Sequence, residues 1–232
     1  MRYFVCTLIL LVVMIYTFPW LSRVVPPQYN PFSPLQVSDP PNFITEYKLK
    51  RLDNNPQACF AALEKAQEDG AISFIPAGNM GGACPLSAPI RVQKLGTVAL
   101  SSSFLASCRL ALSSAMFVAQ VAKPQAQAQL GTELTRINHL GSYACRNVYN
   151  RAEGRLSEHA TAEALDIAGF HFADGTDLAV LKGWKQEGSR GNYIRSVFNK
   201  SCPYFGNSIG PDYNAAHANH FHFGMRWFGF CR

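Results

Sequence analysis

The sequence is poor in several features that would have pointed to other kinds of protein. Charged residues make up only 16% of the 232-residue chain, and its 21 lysines and arginines are scattered, with no basic run and no RNA-type aromatic motif. Nucleic acid is therefore excluded as a partner. None of the seven cysteines forms a C-x2-C pair, which argues against a thiolate zinc site. The glycine-rich GNMGGACP (78–85) lacks the G-x-x-x-x-G-K-S/T pattern of a phosphate loop and reads as a turn. There is no internal repeat and no sign of a second large domain. No charge at all occurs from Tyr3 to Ser22.

That charge-free run is about long enough to cross a bilayer as a helix. Tyr3 and Phe4 at one end and Tyr16, Phe18 and Trp20 at the other are placed like membrane-interface aromatics. No A-x-A-like cleavage site follows, so an uncleaved anchor over residues 1–23 is favoured over a cleaved signal. Residues 24–53 follow with six prolines between Pro26 and Pro41. Because proline fixes φ and removes donors, this stretch reads as a semi-rigid spacer. Cys6 lies in the apolar run, leaving Cys59, Cys84, Cys108, Cys145, Cys202 and Cys231 as an even set. Behind a targeting segment an even set implies disulfides and an oxidising compartment, with fifteen pairings open. The expected placement is a single-pass inner-membrane protein with its folded part in the periplasm. The net charge of +6 and pI near 9.0 suit an acidic polymer or an anionic membrane surface nearby.

Residues 54–232 read as one α+β domain, a mostly antiparallel sheet carrying a metal cleft with helices packed on it. Asn54 or Asn55 caps a helix that has Pro56 in its first turn and stops at Gly70. A strand over 71–76 follows, then a helix from about Ser102 to Val121 that Pro124 kinks or ends. Strands over 132–138 and 142–146 pair across Gly141. Residues 164–172 (ALDIAGFHF) form a further strand, ADG (173–175) makes a tight turn, and a helix runs from about Ser189 to Asn199.

Five of the six histidines lie in residues 155–232. His159 and Asp166 are separated by six residues, and His220 and His222 form an H-x-H. Residues two apart in a strand share a face, so the H-x-H pair can converge on one point. Asp166 would be fixed on its strand while His159 comes from the preceding loop. Two nitrogens and a carboxylate oxygen around an open position make the ligand set of a catalytic zinc site.

The motifs S-E-H-x5-L-D-I-x-G-F (157–170) and G-P-D-Y-N-x-x-H-x-x-H-F-H (210–222), with GSYACR (141–146) upstream and the terminal Cys-Arg, resemble the bacterial extensin-like C-terminal domain family over roughly residues 56–232. That family is related to the D-Ala-D-Ala carboxypeptidase, lysostaphin and hedgehog group. The resemblance implies Zn2+ held by His159, Asp166 and His222, with His220 beside it as donor or proton carrier. It places Arg146 near the site to bind a substrate carboxylate or an oxyanion. Ser157 is a candidate to orient the loop of His159, and His217 and Asp212 to sit behind the ligands. His139 and His171 have no partner pattern.

Three positions depart from the family's pattern. The acidic general base three residues before the last histidine is Asn219; a glycine after the first ligand is Ala162; an acidic residue after the last histidine is Gly224. Glu158 or Glu163 could substitute for the base. The resemblance therefore implies either a zinc peptidase that cuts peptidoglycan peptide stems with metal-activated water, or an impaired relative that binds wall peptide or an envelope partner. Oligomeric state is not legible in the sequence.

Overall fold

The computed structural model describes residues 2–226 and 229–232. Among the described residues, seven α-helices and nine strands follow one another as α1 (Arg2–Val24), α2 (Phe43–Leu52), α3 (Pro56–Glu68), β1 (Ser73–Pro76), β2 (Ile90–Leu95), β3 (Val98–Ala106), α4 (Cys108–Phe117), α5 (Lys123–Leu130), β4 (Leu134–Gly141), β5 (Ala164–Phe172), β6 (Asp177–Ala179), α6 (Val180–Gly183), α7 (Gly188–Asn199), β7 (Asn207–Ile209), β8 (Phe221–Gly224) and β9 (Phe230–Cys231). The strands form one mixed sheet in the order β1-β2-β3-β4-β5-β8-β7-β9, with β6 paired to β5. Among the described residues β3–β4 and β7–β9 are parallel pairs and the others antiparallel, within a single α+β domain.

The sequence patterning accounts for most boundaries. Asn55 accepts the Ala58 N–H and Pro56 opens α3, where its missing N–H costs nothing. β5 runs over the span expected for it, and α7 buries Tyr193, Ile194, Val197 and Phe198. The helix expected from Ser102 starts later. Ser101–Ser103 belong to β3, and Ser107 caps α4 by accepting the Leu110 N–H. Beyond α4, residues Val118–Ala122 widen into a π turn before α5. Pro124 cannot donate an i→i−4 bond, and a wider turn accommodates that loss without ending the helix. The strand expected over 142–146 does not form, because the β4–β5 ladder ends at Gly141, where φ is +118°.

The N-terminal region differs most from expectation. Among the described residues, no helix is long and apolar enough to cross a membrane, so the single-pass inner-membrane anchor is not supported. Helix α1 contains Pro19 and also Thr7 and Thr17, which turn their hydroxyls onto the carbonyls of Tyr3 and Val13. The proline-rich spacer is also folded in large part. Leu35 and Leu49 join the core, and α2 is capped by Asn42. The buried Lys48 ammonium spends its three donors on Asp39 Oδ2 at 3.1 Å, the Pro27 carbonyl at 2.7 Å and Ser33 Oγ at 2.9 Å.

The helices pack against one face of the sheet, α3 on α4 and α5 on α7. The sequence FHFG of β8 explains how this face positions the site. Phe221 and Phe223 are fully buried, and Phe223 stacks on Phe205 at 4.7 Å between ring centroids. Each such ring contributes about 1.5–3 kcal/mol of burial, so period-2 alternation turns the intervening His222 to the opposite face. Three disulfides, Cys59–Cys108, Cys84–Cys145 and Cys202–Cys231, close loops of 49, 61 and 29 residues. Each constrains the unfolded chain by about 3–4 kcal/mol in the chain-entropy picture. Cys6 is the free cysteine.

Candidate metal centre

Asp166 on β5 and His222 on β8 are direct cross-strand partners, which places their side chains side by side on one face. His159 arrives from the short 3-10 turn Glu158–Thr161. Ser157 caps that turn by accepting the His159 N–H, and Ala162 closes it in the left-handed region. The three side chains meet as a small triangle. His159 Nε2 is 3.2 Å from His222 Nδ1 and 3.2 Å from Asp166 Oδ2, and His222 Nδ1 is 2.9 Å from Asp166 Oδ1.

The imidazoles are oriented from behind. His159 Nδ1 lies 3.1 Å from the Ser142 carbonyl. A carbonyl only accepts, so Nδ1 carries the proton and Nε2 faces the cluster. His222 Nε2 points away from the triangle to Glu158 Oε2, at 3.5 Å, the long end of hydrogen bonding. Glu158 is buried and fixed in turn by Asn207 Nδ2 at 3.1 Å and the Arg226 N–H at 2.8 Å. It fills space that Gly224 leaves open, since a Cβ at 224 would stand 2.5 Å from Glu158 Oε1. A carboxylate thus stands beside the position where the family pattern puts an acidic side chain.

Electrostatics follow the geometry. Burial penalises the Asp166 carboxylate, but its interactions with the His159 and His222 imidazoles outweigh it and hold the group below the usual carboxylate range. Glu158 is lowered in the same way, burial being overcome by His222, the Arg226 N–H and Asn207. For His222, burial disfavours the imidazolium, yet Asp166 and Glu158 on its two sides raise it to about 9. His220 is lowered, chiefly by burial. Burial and the neighbouring histidines bring His217 down to about 4.

The donor set fits a metal ion. Ligands 2.0–2.1 Å from a tetrahedral zinc stand about 3.3 Å apart, close to the 3.2 Å between His159 Nε2 and His222 Nδ1 and the 3.2 Å between His159 Nε2 and Asp166 Oδ2. Both imidazoles have the acceptor on the second nitrogen that metal-ligating histidines use. His159, Asp166 and His222 also form the one group of His, Cys, Asp or Glu among the described residues whose ligand atoms all lie within 4.8 Å of one another.

The remaining candidates are distributed as follows. His220 precedes β8; its Nε2 is 3.6 Å from Asp166 Oδ2, and its Nδ1 donates to Asn219 Oδ1 at 2.8 Å. Because β8 begins only at Phe221, Asn219 sits in the preceding turn and is exposed. Arg146 lines the same groove, about 520 Å³ in volume, with Arg155, Arg226, Tyr149 and Tyr213. His217 lies there too, its Nδ1 donating to Asn214 Oδ1 at 2.8 Å. Asp212 accepts from Trp184 Nε1, and Glu163 pairs with Arg109 at 3.0 Å. A groove of similar size, about 530 Å³, between residues 31–36, α2 and α3 is lined by no histidine or carboxylate.

Sequence reasoning missed Asn207, the Ser142 carbonyl and the supporting role of Glu158. Only Glu158 had a signal, its place beside His159. Neither the curated proteins nor the solved structures contain a match to this chain. A family model does match, over residues 57–232, which include every side chain of the triangle and its supports: the chain belongs to the family described as Extensin-like protein C-terminus.

Proposed function

We propose that this protein is a zinc-dependent hydrolase of peptidoglycan peptide stems, related to the D-Ala-D-Ala carboxypeptidase and lysostaphin peptidases, with the metal held by His159, Asp166 and His222. The single observation that carries the reading is the meeting of two imidazole nitrogens and the Asp166 carboxylate, whose two oxygens each contact one histidine, at 2.9–3.2 Å, in the lining of a groove that also holds three arginines. Zinc bound there would act as a Lewis acid on a peptide carbonyl and lower the pKa of a water toward neutrality.

The residues around it divide the remaining work. Glu158 accepts the hydrogen bond of His222 Nε2–H and keeps Nδ1 directed at the metal. Arg146 binds a substrate carboxylate or a developing oxyanion. Asn219 Oδ1 accepts the hydrogen bond of His220 Nδ1–H, so the lone pair of His220 resides on Nε2, the nitrogen facing Asp166. Burial holds His220 neutral in the neutral range, and a neutral Nε2 is a competent proton acceptor. In this chain a histidine oriented by an amide replaces the carboxylate base absent at position 219. Three disulfides suit an oxidising compartment.

Asn219 also favours a second reading, a protein that keeps the metal cleft to bind wall peptide without cutting it. Two measurements decide. Purified protein should carry about one zinc, and the His159→Ala/Asp166→Ala/His222→Ala variant should carry none; stoichiometric zinc in that variant would end the metal assignment. Digestion of purified peptidoglycan should release peptide fragments. Zinc-loaded protein that binds peptidoglycan and releases none would establish the binding reading instead.

A further inference from the structure

The segment 142–146 forms no strand, yet it holds the first metal ligand. The Ser142 carbonyl accepts from His159 Nδ1 at 3.1 Å, the Ala144 N–H donates to the His159 carbonyl at 3.1 Å, and the Arg146 carbonyl accepts the Ser157 N–H at 3.0 Å. This cradle sets both the tautomer and the direction of the His159 ring.

A cradle orients its load only as firmly as it is itself fixed. Beyond its contacts with the His159 loop, three attachments are described. Ser142 Oγ donates to the Leu105 carbonyl at one end. Tyr143 donates its hydroxyl to the Cys84 carbonyl at 2.9 Å, and the Cys84–Cys145 disulfide bridges the same two segments. Cys84 itself is well anchored. It is buried in the turn between β1 and β2, which is closed by reciprocal Met80–Leu86 hydrogen bonds and by Asn79 Oδ1 accepting the Ala88 N–H. The disulfide therefore ties the cradle, immediately before Arg146, to the β1–β2 edge of the sheet.

We infer that the Cys84–Cys145 disulfide is a positioning element of the metal centre. By fixing 142–146 it keeps His159 Nε2 on Asp166 and His222, so metal affinity depends on whether this bond is oxidised. The inference rests on the metal reading above. Cys145 is exposed, as is Cys231 of the Cys202–Cys231 disulfide, so both bonds are open to reductant and the second serves as a control. It joins residues just after α7 to β9 and touches no part of the cradle. Reduction by a water-soluble phosphine breaks the S–S bond to two thiols while the phosphorus is oxidised to the phosphine oxide, taking its oxygen from water.

Zinc affinity is measured by chelator competition on the full oxidised chain, on Cys84→Ser/Cys145→Ser and on Cys202→Ser/Cys231→Ser. Loss of an orienting partner costs about 10–100-fold in metal affinity. That loss is expected in the first variant, with no comparable loss in the second. On the unmodified protein, thiol alkylation and mass spectrometry follow phosphine reduction of each disulfide with and without zinc. Metal that binds the intact cradle lowers the population of its opened form, so zinc should slow reduction at Cys84–Cys145 and leave Cys202–Cys231 unchanged. If Cys84→Ser/Cys145→Ser fails to fold, this second measurement decides alone. Equal zinc affinity in the folded variant, or zinc-independent reduction of Cys84–Cys145, overturns the inference while leaving the metal reading standing. A wild-type protein that binds no zinc overturns both.

Discussion

Protons and metal should compete for His222, and the competition can be worked out from the site. In the metal-free protein Asp166 and Glu158 raise this imidazole to about 9 from an ordinary value of 6.5. Its Nδ1 must lose a proton before it can ligate. Below pH 9, zinc affinity should therefore weaken by about tenfold per pH unit, which is about 100-fold between pH 8 and pH 6. Above pH 9 this dependence should flatten. Stability of the metal-free protein has its own sign. A raised histidine pKa means that the folded state binds the proton more tightly, so the stabilisation is fully present below pH 6.5 and is lost as pH rises through 9. The difference of two to three units corresponds to about 3 kcal/mol, shared with Asp166, whose lowered pKa describes the same contact from the other side. Titration calorimetry in buffers of different ionisation enthalpy should show about one proton released per zinc at pH 7. Melting of metal-free protein should shift downward between pH 7 and 9.5. Zinc affinity independent of pH from 7 to 9, with no proton released, would refute the placement of His222 between two carboxylates.

Three further outcomes follow from the contacts. Gly224→Ala puts a Cβ against Glu158 Oε1; it should destabilise the fold by about 1–3 kcal/mol and weaken zinc binding, and an unchanged denaturation midpoint would show that Glu158 is not confined there. Arg109→Met strips the buried guanidinium from Asp53 and Glu163 and should cost about 2–3 kcal/mol, below the usual range for breaking a buried pair because Asp53 is 37% exposed. Denaturant titration checks this. Asn219→Ala removes the acceptor from His220 Nδ1. It should lower peptidoglycan hydrolysis by about tenfold or more, within the range of general-base effects, with zinc content unchanged; full activity in this variant would remove His220 oriented by Asn219 from the mechanism.

That His159, Asp166 and His222 come together was legible in the sequence because they belong to local patterns. His159 and Asp166 are joined by one turn and the start of one strand, and His222 alternates with phenylalanines whose burial fixes its face. The α3 cap, β5 and α7 were readable for the same reason, since each is set by neighbours within a few residues. The charge-free run near the N-terminus was a poorer guide: among the described residues no helix is long and apolar enough to cross a membrane. The proline-rich stretch misled as well: proline content predicts backbone stiffness, while the buried Lys48–Asp39 pair depends on residues from separate turns meeting.

What the sequence determined by itself is the grouping of His159, Asp166 and His222 as candidate ligands, the α+β class and the even cysteine set. Tertiary structure alone decided what stands behind those ligands: the Ser142 carbonyl on His159, Glu158 over Gly224 against His222, and the Cys84–Cys145 link that holds the cradle. These are contacts between a backbone group or side chain and a partner tens of residues away. A carbonyl has no sequence signature, and cysteine pairing is set by which turns the sheet brings within about 6 Å of each other. The chain's chemistry is written in its motifs; the orientation of that chemistry exists only once β4, β5 and β8 are side by side.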